Sequence, residues 1–434
     1  MHTLRVTLRQ HTPLIHFQHD QDGATLRASE VKPKLDRYIL TKLGNGYYQE
    51  GVKLAKANGW LVGKGEHPAL DYKMRIEAEK VEKWTINERQ IYTQRHELKG
   101  KPFVQVDQKR YLAKTRRTDN RLICDLKQYP LYFANMDADS FNPDECRKFS
   151  FTESPIGVVL IVPKVSLYRH ILDADLLNDF FFQTNFGTRQ SKGFGSFGID
   201  KKDPNYRQRL SQYRFCINLD DLDENIEYIE DEFKLIFEYI ELFYRTLRGG
   251  INLKNNRGET VFYFKSLAYK YADDCLNAKW DKRKIKEVFY GIEPELKPNT
   301  YDIRDMLGFS TNEQWLSYRD SIVKSSEVGE RMQSPILFKP ICDRKKDCYT
   351  INILFQDNKV GVPGFKAGNS VNVRNSRGVH FSIDLPQNFS IESYFQYVFQ
   401  QLDIDIYTYV DDFYQNHRYF NILNYIYSQI KENL

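Results

Sequence analysis

Residue types able to act on a ligand gather in one stretch, "NFGTRQSKGFGSFG", residues Asn185 to Gly198. It holds four glycines (Gly187, Gly193, Gly195, Gly198), two cations (Arg189, Lys192) and three phenylalanines, two of which, Phe194 and Phe197, are set among the glycines. Glycines let a backbone approach phosphates and aim its N–H groups at them. Cations add charge, and an aromatic ring offers a face on which a base can stack. Together they suit a clamp for a single-stranded polynucleotide, and "KKDPNYRQRL" downstream adds Lys201, Lys202, Arg207 and Arg209. A triphosphate-binding loop is excluded, because its lysine follows the glycines and opens a helix, whereas Lys192 precedes Gly193. "GFGSFG" (193–198) has dinucleotide-fingerprint spacing but runs into a strand. The plain alternative is a helix-to-strand turn whose glycines only supply positive φ.

A second set is His11, His16 and His19, near the first strand. A metal-independent ribonuclease needs a base for the 2′-OH and a cation for the phosphate, often His with Lys. The trio also reads as ordinary loop histidines, and a metal there would need a carboxylate and a fixed scaffold. Ser334-Pro335 lacks a G-x-S-x-G elbow and reads as a turn into a strand. "DKRKIKE" (281–287) reads as a solvated helix start. The six cysteines include no C-x-x-C pair, so all are expected as free thiols. No metal or cofactor is expected.

The 434 residues suffice for two or three domains. A net charge of +5 is too weak to imply nucleic acid unless the cations cluster. "MHTLRVTLRQHT" lacks the apolar run of a signal peptide, and "IGVVLIVP" is far short of a membrane span. A cytoplasmic protein is expected.

The elements that must position these residues follow from periodicity. Leu4, Val6 and Leu8 alternate as a half-buried strand. Val31, Leu35, Ile39 and Leu43 recur every four residues, predicting a helix with Ser29 as cap and Gly44 at its end. Residues 72–79 alternate as a second strand, and 84–150 read as an insertion. "GVVLIVPKV" (157–165) predicts a strand buried on both faces, 172–186 a helix, and 212–219 a closing strand. Strand, helix, strand, strand, helix, strand is the ferredoxin-like order. The second half predicts a long helix over 226–250, smaller helices at 263–279, 281–290 and 311–323, strands at 334–341 and 349–355, and a helix near 391–403. The expected class is α+β, with two ferredoxin-like (RRM-like) domains and a large helical insertion. The domains would be 1–220 (glycine-rich loop 186–198), a helical region 221–330, and 331–434 as the remainder of the second domain.

A basic glycine loop of the form G-x-R-x-x-x-G-F-G-S, between helix and final strand, resembles the RAMP superfamily of CRISPR proteins. "TPLIHFQHDQDGATLRASEVKPKLDRYIL" (12–40) and "ERMQSPILFKPI" (330–341) resemble the first-subunit family of the type III-B (Cmr) effector complex. The chain departs from that pattern at Pro33, where the family usually has glycine after the basic residue. The resemblance implies an RNA-binding subunit of an RNA-guided antiviral effector. It would hold the CRISPR guide RNA (crRNA) and its paired target RNA beside other CRISPR subunits, without catalysis and away from membranes. The implied RNA contacts are Arg27, Lys32, Lys34, Arg37, Gly187, Arg189, Lys192, Gly193, Phe194, Gly195, Phe197, Lys201, Lys202, Arg331 and Lys339. The superfamily also contains endoribonucleases that process precursor CRISPR RNA, which would give the histidine trio a catalytic role. Their glycine loop lies near the C-terminus, whereas 236 residues follow Gly198 here.

Overall fold

Alternation along the first strand becomes a buried face, with Leu4, Val6 and Leu8 buried and Thr3 and Arg5 exposed. The computed structural model describes residues 1–15, 26–63, 68–79, 150–173, 175–219, 229–255, 257–310, 313–317, 320–326, 331–356, 369–387 and 389–434, with short strands between 81 and 149 as backbone only. The chain divides into two units. One comprises Met1–Leu210, Ile217–Glu238 and Lys339–Thr350; the other comprises Ser211–Cys216, Tyr239–Phe338 and Ile351–Leu434.

In the first unit, β1 (His2–Gln10), β2 (Lys73–Ala78), β3 (Ile156–Val162) and β4 (Phe197–Ile199) form an antiparallel sheet in the order β4-β1-β3-β2. Leu4 lies opposite Leu160, Val6 opposite Val158, and Leu8 opposite Ile199. Helices α1 (Ala28–Leu43) and α2 (Tyr48–Ala57) intervene between β1 and β2, and α3 (Val165–Asp173) and α4 (Leu176–Gln183) between β3 and β4. That is the ferredoxin-like arrangement. Its core joins Leu4, Val6 and Leu8 to Val31, Leu35 and Ile39 of α1 and to Phe180 and Phe181 of α4. Each such fully buried side chain contributes about 1.5–3 kcal/mol relative to exposure.

Several expectations need correction. The sheet closes with Phe197–Ile199, inside the glycine-rich stretch, because Phe197 and Ile199 alternate as buried residues around Gly198. Arg214–Asn218 is a strand of a separate sheet. β3 is buried on one face, with Gly157 and Ile161 exposed between Ile156, Val158, Leu160 and Val162. The helix expected over 172–186 is two helices, divided where Asp175 takes φ +52°. Ser29 does not cap α1; Arg27 stands at the N-cap position, with no side-chain capping hydrogen bond to the first turn.

The second unit contains a six-stranded sheet in the order Ala278–Trp280, Asn299–Tyr301, His380–Asp384, Ser370–Asn375, Asp320–Ser325, Glu313–Ser317. The first three are joined in parallel and the rest antiparallel. The helix expected at 311–323 is therefore two strands, and burial of Ile322 and Lys324 at period two explains why. Lys324 Nζ lies against Asp281 (2.9 Å), Asp305 (2.8 Å) and Asp302, and Arg304 and Arg248 complete this buried ionic cluster.

Candidate nucleic-acid interface

The glycine-rich stretch is built as an internal clasp. A bridge between Asn185 and Ser196 closes it, with Phe186 N–H donating to Gly195 O at 2.9 Å. Inside the bridge, Arg189 at φ +56° and Gly193 at φ +91° turn the chain around a short 3-10 segment, Gln190–Lys192. The clasp then docks on the segment following β1. Gly195 N–H donates to Pro13 O (2.8 Å), Thr188 N–H to Ile15 O (2.8 Å), and Thr12 Oγ1 to Gly193 O (2.6 Å). A Cβ at Gly187 would stand 2.5 Å from Ile15 O, and one at Gly195 would overlap Phe186 O. The close backbone approach that the glycines permit is thus made to the protein itself.

This corrects the expected role of the phenylalanines. Phe194 and Phe197 are both fully buried, and the Phe194 ring stacks on Phe237 with centroids 3.8 Å apart. Neither presents a face to a base. Lys34 turns inward, with Nζ donating to Asn185 O (3.3 Å) and Gln190 Oε1 (3.2 Å), and burial lowers its pKa. Lys32 donates to Asp36 and to Leu70 O and lies over the Tyr72 ring. Arg27 is half-buried, and Arg37 is exposed with its guanidinium 5.8 Å from the Tyr48 ring centroid. Arg189 and Lys192 are half-buried in the clasp. Arg331 is known here by its backbone only, and His16 and His19 lie outside the described residues.

Lys339 is completely buried. Its Nζ donates to Thr184 O (2.9 Å), Asn185 Oδ1 (3.1 Å) and Phe197 O (2.8 Å), tying both ends of the clasp together. Burial among these neutral oxygens holds its pKa well below the usual lysine range. Ser196 Oγ donates to the neighbouring Pro340 O at 2.7 Å.

Beside Lys339 opens a cavity of about 630 Å³. Phe151, Phe181, Phe182, Ile199 and Ile341 form apolar parts of its wall. Nine Lys and Arg residues line it (Arg9, Lys201, Lys202, Arg207, Arg209, Lys339, Arg344, Lys345, Lys346) against three carboxylates, Glu153, Asp200 and Asp343. Five of the cations are already engaged. Arg9 pairs with Asp200, Lys201 with Asp343, Arg209 with Asp175 and Asp179, Arg344 with Glu232, and Lys339 bonds as above. Lys202, Lys345 and Lys346 form no ion pair among the described residues, and Arg207 bonds only the Pro204 and Tyr206 carbonyls there. All four are exposed. A field of one sign in a low-dielectric cleft concentrates anions.

His11 closes one side of the cavity. Its Nδ1 accepts from Cys342 N–H at 3.1 Å, which places the proton of the neutral ring on Nε2. Nε2 has no hydrogen-bond partner among the described residues and lies beside Gly198, where a Cβ would approach it to 2.9 Å. Burial, then Lys339, Lys201, Arg9 and Arg344, lowers the His11 pKa to about 3, so the ring is neutral at physiological pH. Among the described residues no group of three or more His, Cys, Asp or Glu could hold a metal, and no helix is long and apolar enough to cross a membrane. The four cysteines described, Cys216, Cys275, Cys342 and Cys348, are free thiols.

Residues 1–251 match the family model of the Cmr1 N-terminal domain, and residues 263–419 match that of the Cmr1 C-terminal domain. The chain belongs to the Cmr1 family. It is thereby a subunit of the multi-subunit type III-B Cmr complex of CRISPR systems. A solved structure, Cmr1 from Pyrococcus furiosus in its apo form, is similar at 9% identity, covering 83% of this chain and 90% of that one with a TM-score of 0.37. No curated protein matches the sequence.

Within this Cmr1 chain, sequence reasoning named Lys201, Lys202, Lys339, Arg207 and Arg209 of the cavity cations. It missed Arg9, which β1 brings there, and Arg344, Lys345 and Lys346, which a strand pair carries to the cavity from far along the chain. The signal was "DRKKD", three consecutive cations in a turn between two apolar strands.

Proposed function

We propose that this Cmr1-family subunit holds the crRNA and its paired target RNA within the cytoplasmic Cmr complex, in RNA-guided antiviral defence, and performs no chemistry on them. One observation carries this reading: a single cavity collects nine cations against three carboxylates, four of the cations lacking an ion pair among the described residues. Backbone phosphates are the polyanion such a surface suits, and binding through them is sequence-tolerant. The state of His11 supports the non-catalytic reading. A general base near neutral pH works best with a pKa near that pH, and His11 is held at about 3.

The test is affinity for single-stranded RNA over a salt series, with the RNA run on a gel afterwards. Replacing Lys202, Arg207, Lys345 and Lys346 by alanine removes four exposed charges. If each neutralises one phosphate, the slope of log affinity against log salt flattens by about 3, at about 0.7 per contact. The RNA is expected to remain uncut. An unchanged slope would overturn the assignment of the cavity, and cleavage lost in His11→Ala would establish the endoribonuclease instead.

A further inference from the structure

The second unit carries a surface of opposite character. Residues Asp403 to Phe413, "DIDIYTYVDDF", contain four aspartates and no cation, in a chain whose net charge is positive. Lys431 pairs with Asp403. Asp405, Asp411 and Asp412 have no cationic partner among the described residues, and all three are exposed. Two large rings stand among them, Tyr407 at 56% exposure and Phe413 at 80%.

The local structure holds this surface ready. Gln415 Nε2 donates to Tyr407 O, Val410 O and Asp412 Oδ1, closing residues 407–415 into a knob. Tyr407 packs edge-on against Phe420 of the final helix, Phe413 against Tyr414, and Tyr409 donates to Lys265 O. A surface ordered before binding loses less conformational entropy on association. An 80% exposed phenylalanine on such a knob is the anchor type found at protein interfaces.

We infer that the Asp403–Phe413 knob docks a Lys/Arg-rich surface of a neighbouring protein subunit of the complex. Charge selects the occupant. Unpaired carboxylates repel phosphates, so RNA does not bind here, whereas guanidinium groups both pair with carboxylates and stack on aromatic faces. Membership of a multi-subunit complex supplies the setting.

The test reconstitutes the effector complex from purified subunits and crRNA with the parent chain, with Tyr407→Ala/Phe413→Ala, and with Asp405→Lys/Asp411→Lys/Asp412→Lys. Incorporation is measured by titration and native mass spectrometry. The aromatic variant is expected to bind the rest of the complex at least about tenfold more weakly, the scale of losing an interface anchor. The charge-reversed variant is expected to weaken at least as much. Both should melt like the parent and bind RNA in isolation as it does, so loss of RNA binding would be a separate failure. Incorporation at parent affinity in both variants overturns the inference. So does a parent that is dimeric in isolation and turns monomeric in the variants, because the occupant is then a second copy.

Discussion

Replacing Gly195 by alanine tests what the glycine-rich clasp is for. The residue sits at φ +63°, a conformation costing an L-residue about 1–2 kcal/mol. Its new Cβ would overlap Phe186 O, so the bridge between Asn185 and Ser196 must open. Two backbone hydrogen bonds go with it, Phe186 N–H to Gly195 O and Gly195 N–H to Pro13 O. Each contributes about 0.5–1.5 kcal/mol. Displacement of buried Phe186 and Phe194 adds to this, giving a destabilisation of about 3–5 kcal/mol. Gly46→Ala is the control: its φ is +96° with nothing within 4 Å of the new Cβ, so only the φ cost of about 1 kcal/mol applies. At about 2–4 °C per kcal/mol, Gly195→Ala should melt about 10 °C below the parent and Gly46→Ala only a few degrees below. RNA affinity per folded molecule should match the parent for both. Equal melting of the two variants, with RNA binding lost in Gly195→Ala, would refute the internal clasp and restore a phosphate-gripping loop.

Two further predictions concern buried charge. His11 has a folded pKa of about 3 against about 6.5 unfolded, so between these values the unfolded chain binds a proton that the folded chain does not. Stability is therefore complete above about pH 7.5 and falls as the pH drops, by about 3 kcal/mol between pH 7 and pH 4. His11→Gln, whose amide oxygen can still accept from Cys342 N–H, should remove that part of the acid limb in melts across pH; an unchanged limb sinks the assignment. In the second unit, Lys324→Met leaves Asp281, Asp302 and Asp305 without their shared ammonium and should cost about 3–5 kcal/mol. Asp302→Asn should cost much less, because burial and Asp305 already push its carboxyl well above the usual carboxylate range. Equal losses in denaturant melts would contradict this.

What the sequence made legible was mostly local. Period-two alternation at Leu4, Val6 and Leu8 and period-four spacing at Val31, Leu35 and Ile39 reported directly on which face is buried, and α7 (Asp281–Tyr290, following α5, Ile229–Arg248, and α6, Leu267–Asp274) was bounded by its own residues. Strand Asp320–Ser325 was misread because one of its buried positions is Lys324, whose burial depends on aspartates 19 to 43 residues away. The cavity was half visible for a related reason. Lys201, Lys202, Arg207 and Arg209 lie close together in sequence, but Arg344–Lys346 join them only through tertiary pairing.

The same distinction explains how a glycine pattern can mark the Cmr1 family while its glycines pack against the protein itself. Gly187 and Gly195 let residues 185–196 fold against Pro13–Ile15. That docking fixes Ser196, which accepts from His11 N–H and starts the run pairing β4 with β1. Gly198 then leaves room for the His11 ring, and the chain leaving β4 delivers Asp200, Lys201 and Lys202 to the cavity wall. Charge on Lys202 can be exchanged for any cation of similar reach, whereas no other residue can replace Gly195 without opening the bridge. The glycines are therefore required where the backbone is constrained, one step removed from the cations that line the cavity.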